Sequence, residues 1–469
     1  MKTVMVLSPC NAMTVISLSK KDMNQFEEVL PSFSLPQAIK EAQRCLHCKV
    51  PSCKKGCPIA NDIPDWIAEL AKGNFGNAFE IIRRRSNLPA ICGRVCGHER
   101  QCEGNCVLGK KGEPVRIGML ERFLADFDAE AKWRHESIPE KGRGRVAVIG
   151  SGPAGLTIAG DLSRQGFSVE IFEMEPEPGG VLMYGIPEYR LPKDVVRREI
   201  SNIEKLGVKF NLSTTIGKNY TVDRLFEEGF DAIFMGTGTG RPKKLDIPGI
   251  NHTGVRQAIW FLRRVSLYQS GLIGRDEVVI REGDKVAVIG CGNTAMDAAR
   301  TALRLGASEV TIIYHRDITR MAALRAEYDD AVAEGVKVLW NTSVIEVEGS
   351  DDQRLKSAVI KTVETDAEGN VEEKISTIDL DWLILAVGSQ PAGRIVSTTE
   401  GIEVDDKGYV LTREMPYGMT TRPGVFAGGD VTNRPATVVH AMQDAKLVAE
   451  GIIKYVDAVK LMQTLENKN

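Results

Sequence analysis

The chain has 469 residues, of which 43% are hydrophobic and 26% charged, as in an ordinary globular protein. Lysines and arginines number 60 against 63 acidic residues, and a net charge of −3 gives no reason to expect nucleic acid as a partner. No apolar run reaches the length of roughly 18 residues that a membrane span needs, and the start of the chain is too polar for a secretory signal. We therefore expect a cytoplasmic protein of roughly two to four domains.

Eight of the ten cysteines lie between residues 45 and 106, in two runs of four. The first run consists of Cys45, Cys48, Cys53 and Cys57, close to the bacterial ferredoxin run C-x2-C-x2-C-x3-C-P with a longer middle gap. The second run consists of Cys92, Cys96, Cys102 and Cys106. Because the cytosol keeps thiols reduced, clustered cysteines favour metal binding over disulfides. The runs therefore predict two [4Fe–4S] clusters, with two four-cysteine zinc sites as the alternative.

A short apolar run at 146–149 predicts a buried parallel strand, which turns directly into a glycine motif. The motif G-x-G-x-x-G consists of Gly150, Gly152 and Gly155, with Pro153 and Ala154 before the last glycine. These glycines permit a tight turn, a close approach of the backbone to a pyrophosphate, and close packing of the following helix. Glu173 ends the next predicted strand, 23 residues after Gly150, where a carboxylate suits the hydroxyls of an adenosine ribose. This order of elements predicts a dinucleotide site.

A second fingerprint follows the strand predicted at 285–289. It has the form G-x-G-x-x-A and consists of Gly290, Gly292, Asn293, Thr294 and Ala295. The next predicted strand, 310–313, ends without an acidic residue and is followed by Tyr314, His315 and Arg316. An acid would bind a free 2′-hydroxyl, whereas a basic residue accepts a 2′-phosphate. Arg316 therefore favours NADPH, and NADH is the alternative. Arg320 either supplies further charge or is simply solvated.

The phrases Leu-Pro-Ala-Ile-Cys-Gly-Arg-Val-Cys at 88–96 and Gln-Cys-Glu-Gly-Asn-Cys at 101–106, with the first fingerprint, closely resemble the small (β) subunit family of glutamate synthase. That family includes the N-terminal part of dihydropyrimidine dehydrogenase and the large subunit of the electron-bifurcating NADH-dependent ferredoxin:NADP oxidoreductase. The resemblance covers nearly the whole chain beyond about residue 35. It implies FAD at the first fingerprint and a pyridine nucleotide at the second.

The resemblance also implies how the two cysteine runs interleave. One cluster would be held by Cys45, Cys48, Cys53 and Cys106. The other would be held by Cys57, Cys96 and Cys102, with Glu121 of the phrase Ile-Gly-Met-Leu-Glu as its fourth ligand. Cys92 is then not a ligand, although its spacing alone would select it. Without the resemblance, Glu121 would be interpreted as a solvated helix carboxylate.

Further residues are implied to contact FAD. The family carries nearly the same phrase as residues 178–193 beside the flavin, which implies contacts from Gly180, Val181, Gly185, Ile186 and Arg190. Gly238, in the Gly-Thr stretch at 236–240, marks the crossover between the two nucleotide domains. In the closing phrase Gly-Gly-Asp, Asp430 is implied to hydrogen-bond the ribityl or phosphate portion of FAD. Thr437 lies where a helix is implied to start under the isoalloxazine ring.

The expected fold class is α/β, with a helical N-terminal bis-[4Fe–4S] domain followed by two Rossmann-like nucleotide-binding domains, the second inserted in the first. The predicted iron–sulfur domain spans 1–141. The FAD-binding domain spans 142–256 and 380–469, and the NAD(P)H-binding domain spans 257–379.

Together these parts predict an NAD(P)H-dependent oxidoreductase that passes electrons via FAD to two [4Fe–4S] clusters and then to a partner protein. No proton-transferring constellation stands out, since the cofactors carry the chemistry. The implied partner is the large subunit of glutamate synthase. The alternative partner is a flavin/[2Fe–2S] subunit, acting with ferredoxin in an electron-bifurcating transhydrogenase. A non-enzymatic alternative is a zinc-bearing scaffold with vestigial nucleotide folds.

Overall fold

The computed structural model describes residues 26–131, 138, 140–218, 220–365, 370–432 and 437–467. The described helices, in chain order, are α1 Leu35–Ala42, α2 Ser52–Lys55, α3 Ile63–Ala71, α4 Phe75–Arg83, α5 Pro89–Val95, α6 Ile117–Ala131, α7 Pro153–Arg164, α8 Val181–Tyr184, α9 Lys193–Glu204, α10 Val222–Glu227, α11 Ala258–Gln269, α12 Asn293–Arg304, α13 Arg325–Ala333, α14 Arg394–Ser397 and α15 Val438–Glu466.

The described strands, in the same order, are β1 Gly144–Ile149, β2 Phe167–Phe172, β3 Lys209–Asn211, β4 Ala232–Met235, β5 Arg241–Pro242, β6 Val255–Gln257, β7 Lys285–Ile289, β8 Glu309–Ile313, β9 Lys337–Leu339, β10 Thr342–Gly349, β11 Leu355–Thr365, β12 Val371–Asp379, β13 Trp382–Leu385, β14 Ser389–Gln390, β15 Thr412–Glu414, β16 Tyr417–Thr420 and β17 Val425–Ala427.

The chain forms two compact units. The large unit comprises Val29–Met183, Arg190–Arg241 and Ser389–Asn469. Among the described residues, the small unit comprises Pro242–Gly388, the segment Tyr184–Tyr189 and residues 26–28. Most of the predicted iron–sulfur region and most of both predicted FAD segments lie in the large unit, whereas residues 184–189, 242–256 and 380–388 of the FAD segments lie in the small unit. The boundaries of the three predicted domains stay a prediction.

The large unit is built on a seven-stranded sheet of order β15-β16-β17-β4-β1-β2-β3. Strand β1 lies in the middle and pairs in parallel with β2 and β4, so that Ile149 is opposite Phe172 on one side and Met235 on the other. The run Val146, Ala147, Val148 and Ile149 is buried, as expected for a parallel strand covered on both faces. The helices between Leu35 and Ala131, which include Ile63–Ala71 and Phe75–Arg83, make up most of the predicted iron–sulfur region and lie beside this sheet's helices.

The small unit has a five-stranded parallel sheet of order β6-β13-β7-β8-β9 and an antiparallel sheet of order β10-β11-β12. Neighbouring side chains of a strand point to opposite faces. Val286 and Val288 of β7 accordingly pack in the core with the helices, whereas Ala287 packs in a second core with the antiparallel strands. The small unit thus combines a parallel sheet with an antiparallel β-meander. The fold class expected from the sequence is confirmed.

Among the described residues, no helix is long and apolar enough to cross a membrane.

Candidate functional site

The first fingerprint closes a tight turn between β1 and α7. Gly150 has φ +96°, and a Cβ built there would lie 2.8 Å from the carbonyl oxygen of Gly236. A Cβ on Gly155 would lie only 2.0 Å from the carbonyl oxygen of Gly150, so both positions require glycine. Gly152 precedes α7, and a Cβ there would meet no atom of the described residues within 4 Å. The open side of the turn thus presents the start of α7, where a pyrophosphate is stabilised by free N–H groups.

Glu173 is fixed beside this turn and is only 5% exposed. Its Oε2 accepts hydrogen bonds from the N–H of Ser151 at 2.9 Å and from the hydroxyl of Ser151, and its Oε1 accepts one from the N–H of Glu175 at 2.9 Å. The hydroxyl of Ser151 in turn accepts a hydrogen bond from the N–H of Gly179. A carboxylate has about four lone-pair positions, so one remains for a ribose hydroxyl. The residues therefore fit the adenosine part of FAD.

The segment at 179–183, in which α8 begins, lies against the same turn. A Cβ on Gly180 would lie 2.9 Å from the Cα of Gly152, so the backbones of the two phrases are in direct contact. The structure thus brings Gly180 and Val181 to the first fingerprint. Gly238 has φ +60° and lies just after the end of β4. Gly236, which directly follows β4, packs against Gly150. The remaining implied contacts of this phrase are Gly185 and Ile186, which belong to the small unit, and Arg190, which is buried in the large unit.

The closing phrase reaches the N-terminus of α7 from the other side. Gly429 has φ +76°, and a Cβ there would lie 3.0 Å from the Cβ of Ala154. This contact places Asp430 at the first fingerprint. The N–H of Gly429 donates to Oδ2 of Asp444 at 2.6 Å, and the hydroxyl of Tyr417 donates to the other carboxylate oxygen at 3.1 Å. Sequence reasoning missed Asp444, which holds the Gly-Gly-Asp turn from within α15.

Thr437 is the residue that precedes α15, and its hydroxyl lies 2.7 Å from Nδ1 of His440. The helix begins at Val438, close to the predicted start. Ala436, with which the sequence prediction began this helix, lies outside the described residues.

The second fingerprint forms an equivalent turn in the small unit. Gly290 has φ +122°, and a Cβ there would lie 2.4 Å from the carbonyl oxygen of Ala386, whereas a Cβ on Gly292 would meet no described atom within 4 Å. Thr294 is exposed at the start of α12, and Ala295 is buried beneath it. The side chain of Asn293 has a structural task, since its Oδ1 accepts the N–H of Leu324 at 2.9 Å. This bond fixes the end of the loop that follows β8.

That loop carries the basic residues predicted to select the nucleotide. His315, Arg316 and Arg320 are exposed, and the structure describes no ion pair between either arginine and another described residue. The hydroxyl of Tyr314 donates to the carbonyl oxygen of Arg320 at 2.8 Å, which fixes the backbone between them. The carboxylate of Asp317 accepts the N–H of Thr319 at 2.7 Å. The loop therefore presents the guanidinium of Arg316 at the carboxyl end of β8, where an adenosine ribose lies in this type of fold, whereas Arg320 interacts electrostatically with Asp317.

Four cysteines from both runs line one cavity. They are Cys45, Cys48, Cys53 and Cys106, and the other lining residues are Leu46, Ser52, Pro64, Val107, Leu108 and Val115. This is the first ligand set implied by the resemblance. Burial raises the pKa of the Cys45 thiol and raises that of Cys53 to about 11. Thiols of this kind bind metal as thiolates, so binding there releases protons.

The two runs approach each other closely because of one glycine. A Cβ on Gly56 would lie 2.5 Å from Nδ2 of Asn105 and 2.7 Å from the carbonyl oxygen of Gln101. Any side chain at position 56 would therefore push the first run away from the second. In the part of the chain that the structure describes, no three His, Cys, Asp or Glu side chains converge as closely as the ligands of one metal ion would.

Cys57, Cys96, Cys102 and Glu121 also lie close enough to influence one another. Burial first, and then the neighbouring Glu121 carboxylate, raises the pKa of Cys57 to about 11. Burial, followed by the charges of Glu103 and Glu121, raises the pKa of Cys102 well above its usual range. Burial and then the carboxylate of Glu199 raise the pKa of Glu121 to about 8. Glu121 thus acts on both Cys57 and Cys102, as expected for residues of one ligand set.

Cys92 lies beside that neighbourhood. A hydrogen bond with the Cys92 thiol is the main cause that raises the pKa of Cys96, and burial is the next. The Cys92 thiol is buried and lies 3.6 Å from Sδ of Met442 and 3.8 Å from the hydroxyl of Ser86. Its interpretation as a non-ligand stays a prediction, as do the residue assignments for both clusters.

The second cysteine run rests directly on the helices that start at the first fingerprint and at Thr437. Nε2 of Gln101 lies 3.5 Å from the hydroxyl of Thr437, and Cys92 touches Met442 one turn further along α15. Nδ2 of Asn87 donates to the carbonyl oxygen of Thr157 in α7 at 3.1 Å. The cysteines and the first fingerprint are therefore parts of one packed structure in the large unit.

Comparison with known proteins supports the same combination. Residues 22–133 match the family model described as dihydropyrimidine dehydrogenase domain II, 4Fe-4S cluster, and residues 144–445 match pyridine nucleotide-disulphide oxidoreductase. Mycobacterium tuberculosis FprA in complex with NADPH shares the fold, with a TM-score of 0.53 and 20% identity over 68% of this chain and 86% of that chain. The fold and the site thus define a flavin- and pyridine nucleotide-dependent oxidoreductase with an iron–sulfur region.

The glutamate synthase [NADPH] small chain of Halomonas elongata is 36% identical over 443 residues, which cover 92% of this chain and 94% of that protein. The Escherichia coli small chain is 34% identical over 446 residues, and the Escherichia coli dihydropyrimidine dehydrogenase subunit PreT is 32% identical over 437 residues. The chain belongs to the glutamate synthase small-chain family. The predicted family, enzyme class and cofactors, namely FAD, [4Fe–4S] clusters and NADPH, are confirmed.

Proposed function

We propose that this protein takes electrons from NADPH and delivers them, through FAD and two [4Fe–4S] clusters, to a partner subunit, as the small chain of glutamate synthase does. The observation that carries this proposal is the packing of the second cysteine run on α7 and α15. When bound, FAD supplies the exchange between two-electron chemistry at the nicotinamide and one-electron chemistry at the clusters. The protein's own contribution is to hold these groups and to order them along the chain.

On the flavin side, the start of α7 at Gly152 and the adjacent Gly180 leave backbone room for a flat ligand. Glu173 would accept a hydrogen bond from a ribose hydroxyl, and Asp430 would bind the ribityl or phosphate portion. Asp444 acts indirectly, because it fixes the turn that carries Asp430. The buried Ser151–Glu173 pair makes this wall of the site rigid before the ligand arrives.

On the nucleotide side, we infer that NADPH is preferred over NADH. In contrast to Glu173 after β2, the loop after β8 presents the exposed Arg316, for which the structure describes no ion pair with another described residue. A guanidinium group binds a phosphate through charge-assisted hydrogen bonds, whereas a 2′-hydroxyl gives it only a weak acceptor.

For the clusters, we propose Cys45, Cys48, Cys53 and Cys106 as one ligand set. We propose Cys57, Cys96, Cys102 and Glu121 as the other. Thiolates suit iron–sulfur clusters, and a carboxylate ligand alters the local charge and hence the reduction potential. The second set lies next to α15, so electrons from the flavin would reach it first and the Cys45 set second.

The surface beside the first ligand set is suited to electron transfer to a partner protein. Leu46 and Val50 beside it are 59% and 64% exposed. Lysines 49, 55, 110 and 111 are exposed nearby in the sequence, and the structure describes no ion pair for them among its described residues. An apolar centre with a basic rim is complementary to an acceptor surface with an acidic rim. We propose that this acceptor belongs to the large subunit of glutamate synthase. The flavin/[2Fe–2S] subunit with ferredoxin is the other candidate.

The cytoplasmic location of the protein stays a prediction.

The test is reconstitution with the partner. The purified holoprotein, mixed with a glutamate synthase large subunit, should form glutamate from glutamine and 2-oxoglutarate at the expense of NADPH. Formation of reduced ferredoxin with a flavin/[2Fe–2S] subunit instead would select the bifurcating alternative. Failure of both mixtures, with NADPH-reducible cofactors present, would refute both partners.

A further inference from the structure

The chain leaves the large unit for six residues immediately after the phrase beside the first fingerprint. Met183 and Arg190 belong to the large unit, whereas the segment Tyr184–Tyr189 between them belongs to the small unit. The residues just before this segment include Gly180, whose backbone lies against Gly152. A short piece of chain therefore connects the wall of the flavin site to the interior of the unit that carries the second fingerprint.

Tyr189 anchors the end of this segment on α12. Its side chain is fully buried in the main core of the small unit, with Phe26 at a ring-centroid distance of 6.4 Å. Its hydroxyl donates to the backbone carbonyl oxygen of Asp297 at 3.3 Å. The guanidinium carbons of Arg300 and Arg304 lie 4.8 and 4.3 Å from the centroid of its ring, within the range of cation–π contacts. Asp297, Arg300 and Arg304 all lie on the helix that begins with Asn293 of the second fingerprint.

Arg300 extends this anchor to the next helix. Its side chain is 1% exposed and forms ion pairs with Glu327 at 3.1 Å, Asp330 at 3.2 Å and Glu334 at 2.7 Å. The first two carboxylates lie on α13 and the third directly follows it. A buried guanidinium with several carboxylates is strongly held in place, because leaving it unpaired would be costly. The aromatic ring of Tyr189 is thus packed on a fixed cation and not on a mobile one.

We propose that Tyr189 is a positioning residue for hydride transfer: it ties the loop that flanks the flavin to the helix that binds the pyrophosphate of NADPH. This inference rests on the proposed function. Binding of NADPH at the start of α12 then orders the segment Tyr184–Tyr189, and with it the adjoining phrase at 179–183. The side chain of Tyr189 is fully buried, so its loss should affect the rate of transfer and leave nucleotide binding largely intact.

The first experiment compares Tyr189→Leu, Tyr189→Phe and the control Tyr268→Leu in the FAD- and iron-loaded protein. Tyr268 is a buried tyrosine of the same core and lies on α11, so the control matches the loss of an aromatic ring. Anaerobic stopped-flow absorbance measures flavin reduction by NADPH. We expect Tyr189→Leu to slow reduction at saturating NADPH by about tenfold or more, since misplaced reactants lose rate steeply. NADP⁺ affinity should stay within about threefold, and Tyr189→Phe, which keeps the ring, should retain most of the rate.

The outcomes separate the inference from the proposed function. If the unchanged protein is not reduced by NADPH, the proposed function fails. If it is reduced and the Tyr189→Leu variant is as fast as the Tyr268→Leu control, the positioning role of Tyr189 is refuted. Equal losses of rate and of NADP⁺ affinity would also refute it, because they would indicate damage to the nucleotide site itself.

A second measurement needs no variant, and it tests the positioning role of Tyr189 if the Tyr189→Leu variant does not fold. Hydrogen exchange of the unchanged protein is followed with and without NADP⁺. We expect the amides of Tyr184–Tyr189 to gain protection together with those of α12, while those of α9 in the large unit do not change. Protection of α12 without any change at Tyr184–Tyr189 would overturn the inference.

Discussion

Replacing Arg316 by alanine should convert a preference for NADPH into near-equal use of the two nucleotides. Arg316 is exposed, and the nearby carboxylate of Asp317 is engaged by the N–H of Thr319 at 2.7 Å. A hydrogen bond to a charged group contributes about 1.5–3 kcal/mol, which corresponds to roughly a 10- to 150-fold loss in kcat/KM for NADPH. The value for NADH should change by less than about threefold, since NADH offers no 2′-phosphate to this side chain.

The assay is anaerobic dye reduction with each nucleotide, at two ionic strengths. Because the interaction is exposed, its contribution should shrink as salt rises. Arg325→Ala is the matched control, since Arg325 is an exposed arginine of the same unit that already forms an ion pair with Asp329 at 2.8 Å. Equal losses for NADPH and NADH in Arg316→Ala would contradict the assignment of Arg316 to the 2′-phosphate.

Three further predictions concern the large unit. Cys102→Ser should remove one cluster and about half of the bound iron while FAD stays bound, whereas Cys92→Ser should keep both clusters. Iron analysis and EPR spectra that show cluster loss in Cys92→Ser and two clusters in Cys102→Ser would contradict the ligand assignment. Asp444→Ala should weaken FAD binding by roughly 5- to 150-fold, because the N–H of Gly429 loses a charged acceptor, and unchanged flavin retention during dialysis would count against that role. Lys49→Glu combined with Lys110→Glu should slow electron delivery to the partner at low salt without changing dye reduction by NADPH; a salt-independent effect would speak against an acidic partner surface.

The local parts of both nucleotide sites were predictable from the sequence. Positions 150 and 290 have positive φ angles, and a Cβ at either would lie less than 3 Å from a backbone atom. Because only glycine fits such positions, they can be recognised in the sequence. Buried parallel strands such as Val146–Ile149 were equally clear, since they are continuously apolar.

The interleaving of the cysteine runs could not be derived from their spacing. Spacing groups Cys45 with Cys57, whereas the cavity groups Cys45, Cys48 and Cys53 with Cys106. The arrangement depends on a long-range contact at Gly56, and only the family resemblance implied it. The roles of Asp444 and Tyr189 were missed for the same reason, because each acts on residues far away in the sequence.

The central claim is tested most directly by anaerobic titration of the iron-loaded protein with NADPH, followed by visible and EPR spectra and quantification of iron. The account predicts bleaching of the flavin together with the EPR signal of a reduced [4Fe–4S] cluster, and about eight irons per chain. Flavin bleaching without any reduced cluster, when the iron is present, would contradict electron delivery from FAD to the clusters within this chain. Zinc in place of iron would overturn the interpretation of the cysteine runs.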